Sequence, residues 1–313
     1  MSKTSLKIIE KKNLWFSLSL LVIGLGIAVM VNNLFQSKPI LNYGIDFVGG
    51  STMILKFDEL DNKYKQAEIE NKTRQDVNIL FIKEVRAVLE SFGLGSSTVQ
   101  VTKDKEVLIK TLEIDDDKSS AIFNELQEKL GPGERLELYK IGATIGAELR
   151  ETSLWIIGIV SVLLLLYITW RFEFVYGIAA LLALIHDALV TISFAALFNI
   201  EISTAFVAAL LTVLGYSIND TIVIFDRIRE NIKLLSKKRL SLLTIANISL
   251  NQTLVRTINT SLTTWMVIGT LLVLGGTTIK AFCLVLLIGI FSGTYSSLFI
   301  ASPLLVIFYP KDN

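Results

Sequence analysis

The residues whose types and spacing invite chemistry lie in the stretch GYSINDTIVIFDRIREN, from Gly215 to Asn231. An apolar run beginning at Ile202 leads straight into it, so Asn219 and Asp220 fall inside a segment greasy enough to cross a membrane. A lone carboxylate at the bilayer centre costs about 2.5 to 3.5 kcal/mol on insertion scales, so it is normally paired, wetted or kept for a purpose. Tyr216 stands one helical turn before Asp220, Ser217 three residues before it and Arg227 two turns after it, which puts all four on roughly one helix face. A polar seam of this kind either ties one helix to a neighbour or carries an ion or proton, and the second reading is favoured.

Two further sets of polar residues sit in apolar runs. His186, the only histidine, adjoins Asp187 near the middle of the run Phe174 to Phe198. Adjacent side chains point about 100° apart on a helix, so at most one of the two faces the same neighbour as Asp220. A structural hydrogen bond between spans and a relay role are both open for this pair. Arg256, Thr260, Thr263 and Thr264 follow at i, i+4, i+7 and i+8, giving the run that ends at Leu274 a polar face with a guanidinium at one end. Snorkelling of Arg256 to the interface is the alternative reading of that residue.

The elements that must position these residues are membrane helices. The 313-residue chain is 52% hydrophobic, with a mean hydropathy of +0.57, too apolar for an ordinary soluble domain. Six apolar runs are long enough to span a bilayer: Leu14–Phe35, Thr152–Trp170, Phe174–Phe198, Ile202–Phe225, Leu254–Leu274 and Ala281–Tyr309. The first is too long for the core of a signal peptide and has no small-x-small cleavage site after it, so it is read as an uncleaved span. Gly289, Gly293 and Ser297, four residues apart, read as a close helix-packing seam. The single Cys283 rules out an internal disulfide framework.

Charge sets the topology. Residues 36–150 hold 16 of the 30 Lys and Arg and 20 of the 29 Asp and Glu, which marks a water-exposed domain between the first two spans. One arrangement of the short loops gathers the N-tail lysines, Arg171, the basic segment 227–256 and the C-tail on one side and leaves only Lys280 opposite. The positive-inside rule then makes both termini cytoplasmic and exports residues 36–150. Arg227, Arg229, Lys233, Lys237, Lys238 and Arg239 make the loop after the fourth span strongly basic, which serves topology and favours anionic lipid. From Ser241 an amphipathic pattern reads as an interfacial helix feeding the fifth span. No basic patch with interleaved aromatics occurs, and no nucleic-acid partner is expected.

The 36–150 domain reads as β-α-β-β-α-β, the ferredoxin-like order. Its first strand follows Gly49 and Gly50; a helix carries Val77, Phe81 and Val85; Thr98–Thr102 and Glu106–Thr111 form a hairpin; a second helix starts at Asp115 to Asp117; and a last strand spans about Leu136–Ile141. Residues 58–73, charged and poor in apolar spacing, read as a loop or insertion. Nothing in the domain suggests catalysis, and the chain is not read as an enzyme.

Taken jointly, GYSINDTIVIFDRIREN, the GIDFVGG after the first span, the His186-Asp187 pair and QTLVRTINTS around Arg256 resemble the SecF family of the bacterial Sec protein-export machinery. The resemblance covers essentially the whole chain. It implies half of an architecture similar to the resistance-nodulation-division (RND) transporters, with a role beside SecD in using the proton-motive force to promote late steps of export through SecYEG. It implies that Asp220 and Arg256, with Asn219 beside them, form the proton pathway, and it leaves His186, Asp187, Thr260 and Tyr216 as relay or interhelix residues. Implied partners are SecD as a separate chain, SecYEG, YajC and YidC, the preprotein and the lipid of the bacterial inner membrane. No cofactor or metal is implied; the coupling ion is H+, although a carboxylate seam with hydroxyls also suits Na+. The segment IGATIGAEL at Ile141–Leu149 lacks a proline common in the family, and residues 58–73 look additional. An RND-like half-transporter for small molecules or lipids is the alternative, and a passive scaffold a third reading; the single small exported domain argues against the transporter.

Overall fold

A computed structural model of the chain describes residues 6–69, 73–102, 104–235 and 240–309. Lys3, Lys237, Lys238, Arg239 and positions 70–72 of the charged segment lie outside the described residues. In chain order the elements are α1 (Lys12–Phe35), α2 (Ile45–Val48), β1 (Gly50–Phe57), α3 (Asp58–Ile69), α4 (Arg74–Ser91), β2 (Thr98–Val101), β3 (Glu106–Thr111), α5 (Asp116–Leu130) and β4 (Gly133–Ile141). There follow α6 (Ala143–Arg171), α7 (Phe174–Leu197), α8 (Thr204–Leu235), α9 (Leu242–Leu274), α10 (Thr277–Ser296), a π-helical turn (Ser297–Ala301) and α11 (Ser302–Phe308). They form two units, one of Met1–Asn42, Ser153–Gly275 and Ile279–Asn313, the other of Tyr43–Thr152 with Gly276–Thr278.

The second unit is a four-stranded antiparallel sheet in the order β2-β3-β1-β4, the ferredoxin-like arrangement. Gly49 turns the chain out of α2 with φ of +80°, a value a side chain resists, and Gly50 then opens β1. Met53, Leu55 and Phe57 from β1 meet Phe81 and Val85 of α4 and Ile122 and Leu126 of α5 in a fully buried core. Thr73 and Asp76 cap α4 reciprocally, and Asp115 caps α5 by accepting from Lys118 N–H at 2.7 Å.

One expectation fails here. Asp58–Ile69 is the helix α3, not a loop, because Leu60, Tyr64 and Ala67 recur at helical spacing and are buried. Three apolar positions among many charges are a weak periodic signal, and acidic residues in the first turn suit the positive helix end.

Among the described residues, six helical segments are long and apolar enough to cross a membrane. The third, fourth and last are about half buried within the chain, whereas α1 and α6 present most of their surface outward. Hydropathy marks where a helix is greasy, not where its backbone hydrogen bonds stop. So α6 begins at Ala143, ahead of the expected Thr152, and α8 continues to Leu235, past Phe225. The amphipathic segment after Ser241 is likewise no separate interfacial helix. It is the first part of α9, capped by Ser241 and free of glycine or proline until Gly269.

Close crossings hold the first unit together. A Cβ at Gly289 would lie 2.2 Å from Val213 Cγ2, and one at Gly293 would lie 2.8 Å from Ser217 Cβ, so the expected seam packs α10 directly onto α8. The π-helical turn that follows has a local cause. Pro303 has no N–H to give Phe299 O, the carbonyl four residues earlier, and Ser302 Oγ donates to Ser297 O, five residues back, at 2.9 Å.

Candidate functional site

Two buried carboxylates stand in contrasting surroundings. Asp187 of α7 is fully buried, and its oxygens are filled. Oδ2 accepts from Ser217 Oγ of α8 at 2.6 Å and from Ser296 Oγ of α10 at 2.7 Å; Oδ1 accepts from Ser292 Oγ at 2.7 Å and lies 3.1 Å from His186 Nδ1. Ser292 and Ser296 are one helical turn apart and flank Gly293, which lets α8 come close enough for Ser217 to join them. His186 turns the other way, with Nε2 2.9 Å from Ser19 Oγ of α1. The adjacent pair thus serves two neighbours, and only Asp187 faces α8.

Asp220 is also buried, at 3% exposure, yet its side chain accepts a single long hydrogen bond among the described residues, from Ser261 Oγ of α9 at 3.4 Å. Ser261 Oγ is in turn 2.6 Å from Thr294 Oγ1 of α10. Tyr216 stands half-buried and donates to Thr260 O at 2.8 Å, with Thr264 Oγ1 3.0 Å away. One turn before Ser261, the buried hydroxyl of Thr257 has no hydrogen-bond partner.

The expected single seam therefore splits. Ser217 and Asp187 form a saturated site, Asp220 and Ser261 a sparse one, and Arg227 belongs to neither: its Nε donates to Gln252 Oε1 at 2.6 Å. Arg256 is exposed and, among the described residues, makes no ion pair with Asp220 in this conformation. Asn219 and Thr260 are exposed as well, so the outward surface of α8 and α9 is polar at this level. Ser19, Ser261, Ser292, Thr294 and Ser296 escaped sequence reasoning. A signal existed for two of them, since Ser292 and Ser296 repeat at the same four-residue spacing as the small-residue seam.

A second polar cluster ties α8, α9 and the N-terminal segment. Asn231 Nδ2 donates to Ser249 Oγ and Gln252 Oε1, each at 2.8 Å. Asn247 Oδ1 accepts from the N–H groups of Ile8 and Ile9 at 3.0 and 3.1 Å, and Asn251 accepts from Leu6 N–H at 2.9 Å.

Residues 122–311 match the family model of the protein export membrane protein SecD/SecF, C-terminal, and residues 41–59 match the SecD/SecF GG motif. The chain belongs to the SecD/SecF family. It is 40% identical to the protein translocase subunit SecF of Sebaldella termitidis over 96% of its own length and 90% of that protein's. To the SecF of Desulfurispirillum indicum it is 39% identical, over 87% and 83% of the two chains. A crystal structure of SecDF, a translocon-associated membrane protein from Thermus thermophilus, superposes with a TM-score of 0.80 at 32% identity over 98% of this chain; the match spans 39% of that longer chain. A super-membrane-facing form of SecDF gives a TM-score of 0.68 over the same shares. The stretch matched by the GG motif includes Gly49 and Gly50, the glycines at the start of β1.

Proposed function

We propose that this chain is a SecF-type accessory subunit of the bacterial protein translocase, which pairs with SecD as a separate chain and uses proton flow to promote late steps of export. The observation that carries the reading is the contrast between the two buried carboxylates. Asp187 has every acceptor site occupied, so a proton arriving there displaces an existing donor. Asp220 is sparsely held, and the unpartnered Thr257 hydroxyl and the Ser261–Thr294 pair beside it can exchange partners. Asp220 is the group that takes and releases the proton, and Arg256 is its alternating partner in a second conformation. A proton crossing a potential of 100 mV supplies about 2.3 kcal/mol, enough to bias such a two-state element.

Exposed polar side chains on membrane helices are costly against lipid, so the face carrying Asn219, Arg256 and Thr260 is where SecD lies. The basic loops put both termini in the cytoplasm of the inner membrane and the ferredoxin-like domain outside, where it meets the preprotein delivered by SecYEG, with YajC and YidC as further associates. Na+ in place of H+ is compatible with the same carboxylate and hydroxyls.

The deciding experiment is export into vesicles with membrane potential and pH gradient set separately. Asp220→Asn, nearly isosteric and permanently neutral, is expected to assemble normally and to abolish the stimulation by either component. Export equal to wild type at equal protein level overturns the reading and makes Asp220 structural.

A further inference from the structure

Beside His186 lies a cavity of about 410 Å³, bounded by α1, α7, α9 and α10; Asp220 is not among the residues that line it. Its walls are hydrocarbon. Val22 of α1, Val190 of α7 and Leu284 and Leu287 of α10 line it, and the half-exposed Leu18 and Phe291 flank its opening. Val22 and Leu287 stand near the middle of their helices, so the opening faces the core of a bilayer and not either water phase.

We propose that this cavity is a binding site for one hydrocarbon chain of a bilayer lipid. Size is the first argument. Ligand pockets run to roughly 300–1,000 Å³, whereas apolar voids that stay empty are nearer 150 Å³, and a gap of the present size would strip its walls of contacts on one side. Polarity is the second. Ser19, His186, Ser292 and Tyr295 border the cavity, and each already has a protein partner; the one further polar side-chain group in the lining is the indole N–H of the half-exposed Trp265. Ser292 donates to Asp187 at 2.7 Å, His186 meets Ser19 at 2.9 Å, and Tyr295 donates to Trp15 O at 2.7 Å while its ring stacks on that of His186 at 6.0 Å. No unpartnered buried side-chain atom among the described residues belongs to the lining. An occupant therefore meets a wall that is almost wholly apolar, which favours a hydrocarbon chain over a water file or a polar solute. Seated there, the chain keeps water from the back of the His186–Asp187 network.

The test uses the full chain in nanodiscs of palmitoyl-oleoyl phosphatidylcholine doped with the same lipid carrying a diazirine on its acyl chain. The protein is first exchanged into lipid-free detergent and only then illuminated; peptides covering 284–292 are expected to carry label from lipid retained through the exchange, while the outward-facing Leu163 of α6, whose lipid has been exchanged away, carries none. Leu287→Trp and Val22→Trp fill the cavity from opposite walls and are expected to cut the retained label several-fold, with Leu163→Trp leaving it unchanged. Retained label that is equal at 284–292 and 163 in the unsubstituted protein means only surface lipid contact and overturns the proposal. So does a photoreactive residue at position 287 that captures a protein chain instead of lipid, which would show that a partner helix fills the space. If one filling variant misfolds, the other carries the comparison, and the detergent-exchange result on the unsubstituted protein stands without either.

Discussion

Asp187 on α7 and Ser217 on α8 share a hydrogen bond of 2.6 Å at a point where the carboxylate is wholly shielded from solvent. With Ser292 and Ser296 from α10 it joins three helices through one side chain. Replacing one of its two oxygens by an amide NH2 leaves one or two of the three hydroxyls to find new acceptors in a dry interior, at about 1 to 3 kcal/mol. Asp187→Asn is expected to lower stability by that amount in denaturant unfolding of the detergent-solubilised protein. Combined with Ser217→Ala it should cost less than the sum of the two changes, because both act on one bond. Simple additivity would show that the two residues do not act together.

Asp220→Asn should behave differently in the same assay. The native carboxylate is buried with one long hydrogen bond, so a neutral amide loses little and is spared the burial of a charge. Stability is expected to stay within about 1 kcal/mol of wild type, or to rise. A loss as large as that of Asp187→Asn would mean that Asp220 holds the bundle together.

The α8–α10 crossing makes a steric prediction. Gly289→Ala places a methyl group 2.2 Å from Val213 Cγ2, an overlap that costs about 1 to 3 kcal/mol in a packed interior. Val213→Ala opens the space and should restore much of the loss when the two are combined. Melting temperatures of the two single variants and the double variant decide it, and absence of rescue would place the strain elsewhere.

How much of this was legible beforehand depended on the kind of signal. Greasy runs revealed the six spans, and alternating β-branched residues revealed β2 and β3 almost to the residue, because in both cases one periodicity dominates a continuous segment. Helix α3 was missed because its three buried positions are diluted by charges. Asp220 stood out as a carboxylate in an apolar run, but its neighbour Ser261 did not: a serine is tolerated almost anywhere on a membrane helix, and only the crossing of α8 and α9 gives it a role. Arg256 was joined to Asp220 through the family resemblance. Its exposure depends on rotation about the helix axis, which packing sets and spacing alone does not.

The ferredoxin-like unit gives a pH prediction. Lys105 hydrogen-bonds Asp61, and Lys140 donates to Asp116 at 2.7 Å; these lysines hold both carboxyls below the usual value of 3.8. A carboxyl held lower in the folded state contributes stability above its unfolded value and loses it as pH falls through the folded one. Residues 43–142 expressed alone should give a mixed helix and strand circular dichroism spectrum, melt at a constant temperature from neutral pH down to about 5, and weaken below about 4. Asp116 is exposed and Asp61 only partly buried, so the loss is modest. Lys105→Ala should shrink the acid-induced drop, and a drop of unchanged size would remove Asp61 from its causes.

The π-helical turn at Ser297–Ala301 has a consequence for sequence length. It accommodates one residue more than an α-helical turn, between Ser296, bonded to Asp187, and Leu305, packed at 0% exposure in the core. Deleting one residue there would let the turn close into ordinary helix while Ser296 and Leu305 kept nearly their present faces, because the wide turn is what absorbs the extra residue. A deletion from the uninterrupted helix Thr277–Ser296 would instead swing everything beyond it by about 100° about the axis. Loss of a single residue should therefore be tolerated far better within Ser297–Ala301 than within α10.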